Sequence, residues 1–327
     1  MSGHPFSRVV SRFPEVGVFL VLVFFTALFS IIARGFFSTD TLITVLVAAA
    51  ELGTIAIGVS IVMIAGEFDI SVGSVFCFAT LIVCIAANFG IPIPACFIIT
   101  LMASAGIGCC NGMMTVFLGI PSFIATLGAM LFWRGLHGIL TKGTDVSLKE
   151  GGKFLEILGG NPFVDPTDPS PLHALKMTAV WFPIFAVGVH LLLQKTRFGN
   201  HVFATGGNRD AARNAGVKVR KIKILCFTLA GALVGFASAA NVAQYRGSTG
   251  MLGEYKELDA IAACVVGGNL LTGGRGTILG TVLGVLLLEV IRTGLSMLGD
   301  AYWYRPLTGI IIIVAAVLNE YIRKFEE

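Results

Sequence analysis

The chain has 327 residues, 55% of them apolar and 13% charged, with a formal net charge of +4 and a mean hydropathy of +0.87. A soluble domain carries about a quarter charged residues, so this chain cannot solvate a globular surface and reads as an integral membrane protein whose solvent is the lipid bilayer. The basic residues are not interleaved with aromatic ones, which argues against nucleic acid as a partner.

A helix needs about 20 mostly apolar residues to span. The apolar runs predict about ten spans, at 16–34, 42–65, 72–89, 93–117, 122–140, 176–194, 222–244, 257–271, 277–298 and 303–322, in one transmembrane domain over 1–327. The fold class is therefore an all-α polytopic membrane protein. The first run has a basic flank, Arg8 and Arg12, but is too long for a signal h-region and lacks a small-x-small site after it, so it reads as an uncleaved helix.

Glu51 stands midway along the second span, in AAAELG, where an ionisable group is expensive. Its carboxylate is expected either to face a pathway or to hydrogen-bond to a neighbouring helix. A Gly-bounded break follows, Ala65 to Ser74, and includes Glu67, Asp69, Ser71, Gly73 and Ser74. Asp69 and Ser71 are placed to cap the third span. Irregular backbone in lipid is tolerated only when buried in protein or lining a cavity.

Gly108 and Gly112, Gly231 and Gly235, and the run Gly276, Gly280 and Gly284 are at GxxxG spacing, which predicts close helix packing within the bundle. Arg134 and His137 fall near the end of the fifth span. Residues 141–175 form the longest loop, with Asp145, Glu150, Glu156, Asp165 and Asp168, four prolines and no basic excess. By contrast, 195–223 carries eight Lys or Arg against one acid, Asp210. Positive charge is retained on the cytoplasmic side, so this loop (196–221 at its core) is expected there, 141–175 on the periplasmic side, and both termini in the cytoplasm. Within it Asn208 reads as an N-cap, Arg209 to Ala215 as a short helix and Gly216 as its stop. Such a helix suggests a docking surface for a soluble partner.

A second break runs from Gly267 to Thr277. Glu289 and Arg292 are i, i+3 on the ninth span and are expected to pair. Glu67-Phe68-Asp69-Ile70 is faintly echoed by Glu257-Leu258-Asp259-Ala260, on the opposite face as an inverted repeat requires, though so short an echo also arises by chance. The seven cysteines lie in apolar segments without a CxxC and read as small buried side chains. The five histidines show no metal spacing. GGRGT lacks the Lys-Ser/Thr of a phosphate-binding loop, and no GxSxG is present. No catalytic residue, metal or cofactor is expected, and any ATP would be bound by a separate subunit.

Three stretches carry a resemblance. Ile64 to Ser74, Ala204 to Lys223 and Val265 to Gly299 resemble, in order, signature segments of ribose/xylose/arabinose-type ABC permeases. The resemblance implies the transmembrane subunit of a bacterial inner-membrane importer for a sugar or related small polar solute. It also implies a second permease subunit in a homo- or heterodimer, a cytoplasmic ABC ATPase, and a periplasmic or extracellular solute-binding protein. The 204–216 segment then corresponds to a coupling helix, with Gly207, Asn208, Arg209, Ala211, Ala212, Arg213 and Gly216 at the ATPase; Ala211, Ala212 and Ala215 give it a face with almost no side chain. The chain departs from the commonest signature at Glu67 and Phe68. A secondary transporter would show paired carboxylates or histidines near mid-membrane, and a channel a charged ring; the sequence offers little of either beyond Glu51.

Overall fold

The computed structural model describes residues 14–149, 151–161 and 174–326. Helices follow the apolar runs closely. The first half comprises α1 (Pro14–Ile32), α2 (Thr39–Ile64), α3 (Val72–Asn88), α4 (Ile93–Phe117) and α5 (Ser122–Thr141). Ser38 caps α2, its Oγ accepting from the Thr41 N–H at 3.3 Å. Pro94 lies in the first turn of α4, where an N–H has no intrahelical partner to lose. A β1 strand (Val146–Ser147) and α6 (Lys153–Gly159) come next. The second half comprises α7 (Thr178–Lys195), α8 (Arg197–Gly207), α9 (Arg209–Asn214), α10 (Val219–Tyr245), a β2 strand (Gly247–Ser248), α11 (Lys256–Val266), α12 (Ile278–Met297) and α13 (Tyr304–Glu326).

Among the described residues seven helices are long and apolar enough to cross a membrane: α1, α2, α4, α5, α7, α10 and α12. Of the ten expected spans, the third and the tenth are shorter apolar helices, α3 and the segment at the start of α13, and the eighth, 257–271, is not one of the seven either. It is only the 11-residue α11, ending at Gly267. At 1.5 Å per residue it covers about 16 Å, roughly half of a hydrocarbon core.

The core is built around α2, which is buried almost continuously from Ala49 to Ala65. Helices α7, α10, α11 and α12 surround it. The most extensive contact in the bundle is α4 on α10, and its seam is glycine. A Cβ on Gly231 would lie 3.3 Å from Ala105 Cα, and one on Gly108 would lie 3.3 Å from Gly231 Cα. Gly280 and Gly284 make the equivalent seam between α12 and α11, against Gly267 and Ala263. The GxxxG spacings therefore serve packing within the chain. Five cysteines are buried as expected, but Cys110 is exposed on the outer face of α4.

The two ends of the bundle differ. At the basic end lie residues 195–223 and the starts of α5 and α12. At the other, the hairpin end, β1 pairs antiparallel with β2, Val146 opposite Ser248. Residues 141–175 are thus more than a loop: α6 buries Leu155 and Leu158 against Ala239, Ala240 and Ala243 of α10. Glu150, Asp165 and Asp168 of that segment, and Arg8 and Arg12 of the N-terminus, lie outside the described residues, as do the side chains of Arg323 and Lys324.

Candidate functional site

The basic segment folds as two helices at a corner, of which the sequence showed only the second. Thr196 caps α8, its Oγ1 accepting from the Gly199 N–H at 3.3 Å. Phe198, Val202 and Phe203 turn the apolar side of α8 onto the core around Leu193 and Ile222. Asn208 ends α8 and caps α9, its Oδ1 accepting from the Ala211 N–H at 2.9 Å. Ala215 closes α9, and Gly216 follows at φ +85°, the left-handed conformation that glycine adopts most readily after a helix. Gly207, Asn208, Arg209, Ala211, Arg213, Ala215 and Gly216 are exposed. Ala212 is not: at 4% exposure it is buried against its own chain. The small face that α9 offers outward is Ala211 and Ala215, which are i, i+4.

Where α8 ends, three distant stretches meet without side chains between them. Gly66, just after α2, and Gly273 and Gly274, in the loop before α12, pack on Gly206 and Gly207. A Cβ on Gly273 would lie 2.5 Å from Gly66 Cα, one on Gly206 2.6 Å from Gly274 N, and one on Gly274 2.6 Å from Gly207 N. Gly273 and Gly274 also have φ of +83° and +78°, so a side chain there is strained as well as obstructed. The Gly274 N–H donates to the Ile64 carbonyl at 2.9 Å. Beside this junction Lys223 of α10 forms an ion pair with Glu67, the position where the chain departs from the family signature.

The first break is held by side chains from its neighbours. Ser71 is at the N-cap position of α3 but makes no capping bond, and Asp69 does not reach the helix either. Instead Asp69 Oδ1 accepts from the Ser71 N–H at 2.9 Å and from Ser71 Oγ at 2.6 Å, and Asn111 Nδ2 of α4 donates to Ser71 Oγ at 2.9 Å. The expected cap is therefore a closed local turn tied to α4. Ser74 Oγ donates to the Ser71 carbonyl at 2.7 Å. From α5, Ser122 Oγ accepts the Phe68 N–H at 3.1 Å and Thr126 Oγ1 the Ile70 N–H at 3.2 Å. The second break is tied by Asn269, whose Nδ2 donates to Ser60 Oγ at 2.6 Å and whose Oδ1 accepts from Thr277 N at 2.9 Å.

Inside the bundle the N-termini of the two short helices meet. Gly73, at the start of α3, is in contact with Gly253 and the Glu257 carboxylate at the start of α11. Around them lie ion pairs. Glu51 pairs with Lys256 at 2.5 Å and accepts from Asn241 Nδ2 at 2.8 Å, bonds that tie it to two neighbouring helices. Glu289 and Arg292 pair as expected, at 3.1 Å. Arg292 is also shared: it reaches Asp259 at 2.6 Å, which takes Arg305 on its other oxygen at 2.7 Å. Arg134 donates to the Gly250 and Leu252 carbonyls, both at 2.8 Å, and His137 Nε2 lies 3.2 Å from Ser248 Oγ. The sequence reading missed Lys223, Lys256, Asp259, Asn269 and Arg305 as partners. Asp259 lay in the four-residue echo and Asn269 in the second break, and the three cations stand at the edges of apolar runs, where a charge attracts no notice.

The model of the family described as "Branched-chain amino acid transport system / permease component" matches residues 41–316. The Probable ABC transporter permease protein YphD of Escherichia coli (strain K12) is 35% identical, over 93% of this chain and 89% of that protein. The Ribose import permease protein RbsC of Bacillus subtilis (strain 168) is 32% identical, over 93% and 92% respectively. The Autoinducer 2 import system permease protein LsrC of Yersinia enterocolitica is 33% identical, over 93% and 82%. No solved structure matches the chain. With its run of long apolar helices this is a multi-pass membrane protein, and it belongs to the ABC-importer permease family that this model describes and that these relatives share.

Proposed function

We propose that this chain is the transmembrane subunit through which an ABC importer moves a sugar or related small polar solute, driven by a separate ATPase that docks on α9. The relatives named for ribose and autoinducer 2 import support the solute class. One observation carries the ATPase reading. An exposed, side-chain-capped helix sits at the end of α8, and α8 abuts both backbone breaks through the glycine junction. A push on α9 is thereby delivered to the ends of α2 and α12, with little compliant side chain between. In this reading residues 196–221 and both termini face the cytoplasm. Residues 141–175 face outward toward a solute-binding protein, and a second permease subunit completes the pathway. Glu67 buttresses the junction, Asp69, Ser71 and Ser74 stiffen the first break, and Gly73 lets the short helices meet.

Co-purification of the assembled transporter tests it. Ala211→Trp places a large ring on the outward face of α9, so ATPase capture and solute uptake should both be lost while the permease still inserts and folds. Ala212→Trp instead forces that ring into the chain itself and should lower folded yield. Full ATPase capture and uptake by Ala211→Trp would remove α9 as the docking helix.

A further inference from the structure

Two tyrosine rings and two guanidinium groups stack alternately across the starts of α11 and α13 and the last turns of α12. Arg305 Cζ lies 4.7 Å from the centroid of the Tyr255 ring and 5.4 Å from that of Tyr304, and Arg292 Cζ lies 4.4 Å from Tyr304 on its side. Asp259, only 3% exposed, holds both cations from behind, and Tyr304 Oη accepts from Arg292 at 2.9 Å. The ladder is open along one edge. There the side chains of Arg292 and Arg305 are 37% and 47% exposed, and Tyr255 is 48% exposed.

The depth of this edge decides what can cover it. Helix α12 runs beside α11 with Gly280 against Gly267 and Gly284 against Ala263. Asp259 is therefore about 12 Å of helix rise from the end of α11 at the basic end, while Arg292 stands about 8 Å of rise before the end of α12 and Arg305 is the second residue of α13, so the ladder lies in the half of the bundle toward the hairpin end. Charged groups at that depth face protein or a water-filled cavity, because lipid tails cannot solvate them. An open edge bearing two cations is therefore turned away from lipid tails, toward water or a polar partner surface, and a water-filled face is the arrangement the thiol rates below judge.

The chemistry of the edge narrows the occupant. Two guanidiniums stand against two carboxylates, Asp259 and Glu289, so the formal charges of these four groups cancel and offer an ion no strong attraction. Each guanidinium carries five donors in a fixed plane, more than its carboxylate partners use. Beside those donors lies the half-exposed ring of Tyr255, while the Tyr304 ring is buried between the two guanidiniums. Donors flanking an apolar plane suit a neutral ring that bears hydroxyls on its rim and C–H groups on its face. Contacts that are partly exposed also bind loosely, as a site along a conduction path must if it is to release what it holds.

We propose that the Tyr255–Arg305–Tyr304–Arg292 ladder lines the translocation pathway and forms a transient site for a neutral, polyhydroxylated solute. This rests on reading the chain as a solute permease. The test uses the assembled transporter in cells, with native cysteines replaced and a single cysteine at Tyr255, Leu258 or Ile313. Leu258 neighbours the ladder at 52% exposure, and Ile313 is 65% exposed on the apolar flank of α13. A charged, water-soluble thiosulfonate should modify the first two at least tenfold faster than the third; equal rates would overturn a wet face. Uptake of D-ribose, D-xylose and D-galactose is then measured, and whichever sugar the parent protein accumulates serves as the probe. Tyr255→Phe, which keeps the ring, should transport within twofold of the parent, and Tyr255→Ala should fall at least tenfold with insertion and ATPase capture unchanged. Both substitutions carry the same left-handed backbone, φ +64°, so strain does not separate them. Parent-like uptake by Tyr255→Ala would overturn the solute site. If the parent accumulates no sugar, the sugar-permease reading and the polyhydroxylated class fail together, while the thiol rates still judge the pathway.

Discussion

Glu67 and Lys223 show what a single residue contributes at the basic end. Their side chains are 14% and 9% exposed, so each charge depends on the other for solvation. Removing one partner of a buried pair is far more damaging than removing both. Glu67→Ala is expected to cost about 3 kcal/mol, the low end for a buried pair broken from one side, and Glu67→Ala with Lys223→Met should recover most of it. Thermal unfolding in detergent checks the order: the single variant melts below the double. Glu67 stood out in the sequence as a departure from the family signature, but its partner did not, because side chains 156 residues apart are joined only by the fold. Asn208 was legible for the opposite reason. A cap bonds within three residues, so the sequence contains the whole interaction.

Among elements, α9 and α11 separate what local pattern decides from what packing decides. Asn208→Ala should loosen α9 by roughly 0.5–2 kcal/mol, the usual loss for an N-cap. Faster hydrogen exchange confined to 209–215, with the global melting temperature unchanged, is the expected result. Gly273→Ala should act further away. Its Cβ meets the Gly66 backbone and its φ is left-handed, so the junction must open to accept it. Exchange should then rise at 64–66 and 206–207 together, with uptake reduced and ATPase capture retained. The apolar runs located α1 to α5, α7, α10, α12 and α13 to within a few residues. They overran α11, because the apolar character continues past Gly267 through Asn269 to Leu271 while the helix stops where the glycines turn the chain. They also passed over α8, whose Gly199, Gly206 and Gly207 mimic a loop although its Phe198, Val202 and Phe203 side is packed. The extra backbone freedom of glycine and the close contacts it allows are alike in sequence, and only tertiary structure tells them apart.

Across the whole molecule, the two halves use the same device twice: a long buried helix, a break, then a short helix whose N-terminus turns inward. Helices α3 and α11 meet at Gly73 and Gly253, but the four-residue echo does not follow that symmetry: Glu67 to Ile70 lie in the break before α3, Glu257 to Ala260 in the first turn of α11, and Glu257 touches Gly73 instead of standing on the opposite face. The charge asymmetry of the two ends sets the expected orientation. In a background lacking native cysteines, Lys153→Cys should react with an impermeant thiol reagent in intact cells, and Asn214→Cys should react only after permeabilisation. The reverse pattern would invert the molecule. The isolated chain should hydrolyse no ATP, since no segment supplies a phosphate-binding loop; turnover by the purified single chain, free of other ATPases, would contradict that.

The glycine junction also orders events in time. Its parts come from residues 64–66, 206–207 and 273–274, and synthesis proceeds at about 5–20 residues per second. Helices α8 and α9 thus emerge seconds before the loop that buttresses them. With α9 as the docking helix, an unfinished chain offers its partner a handle packed on the core through α8 but without its Gly273–Gly274 buttress, and a chain cut after Val266 should insert yet hold the ATPase less firmly than Gly273→Ala does. Engagement of the motor would then double as an inspection of the nascent product, favouring chains whose 273–274 loop has been made and folded home.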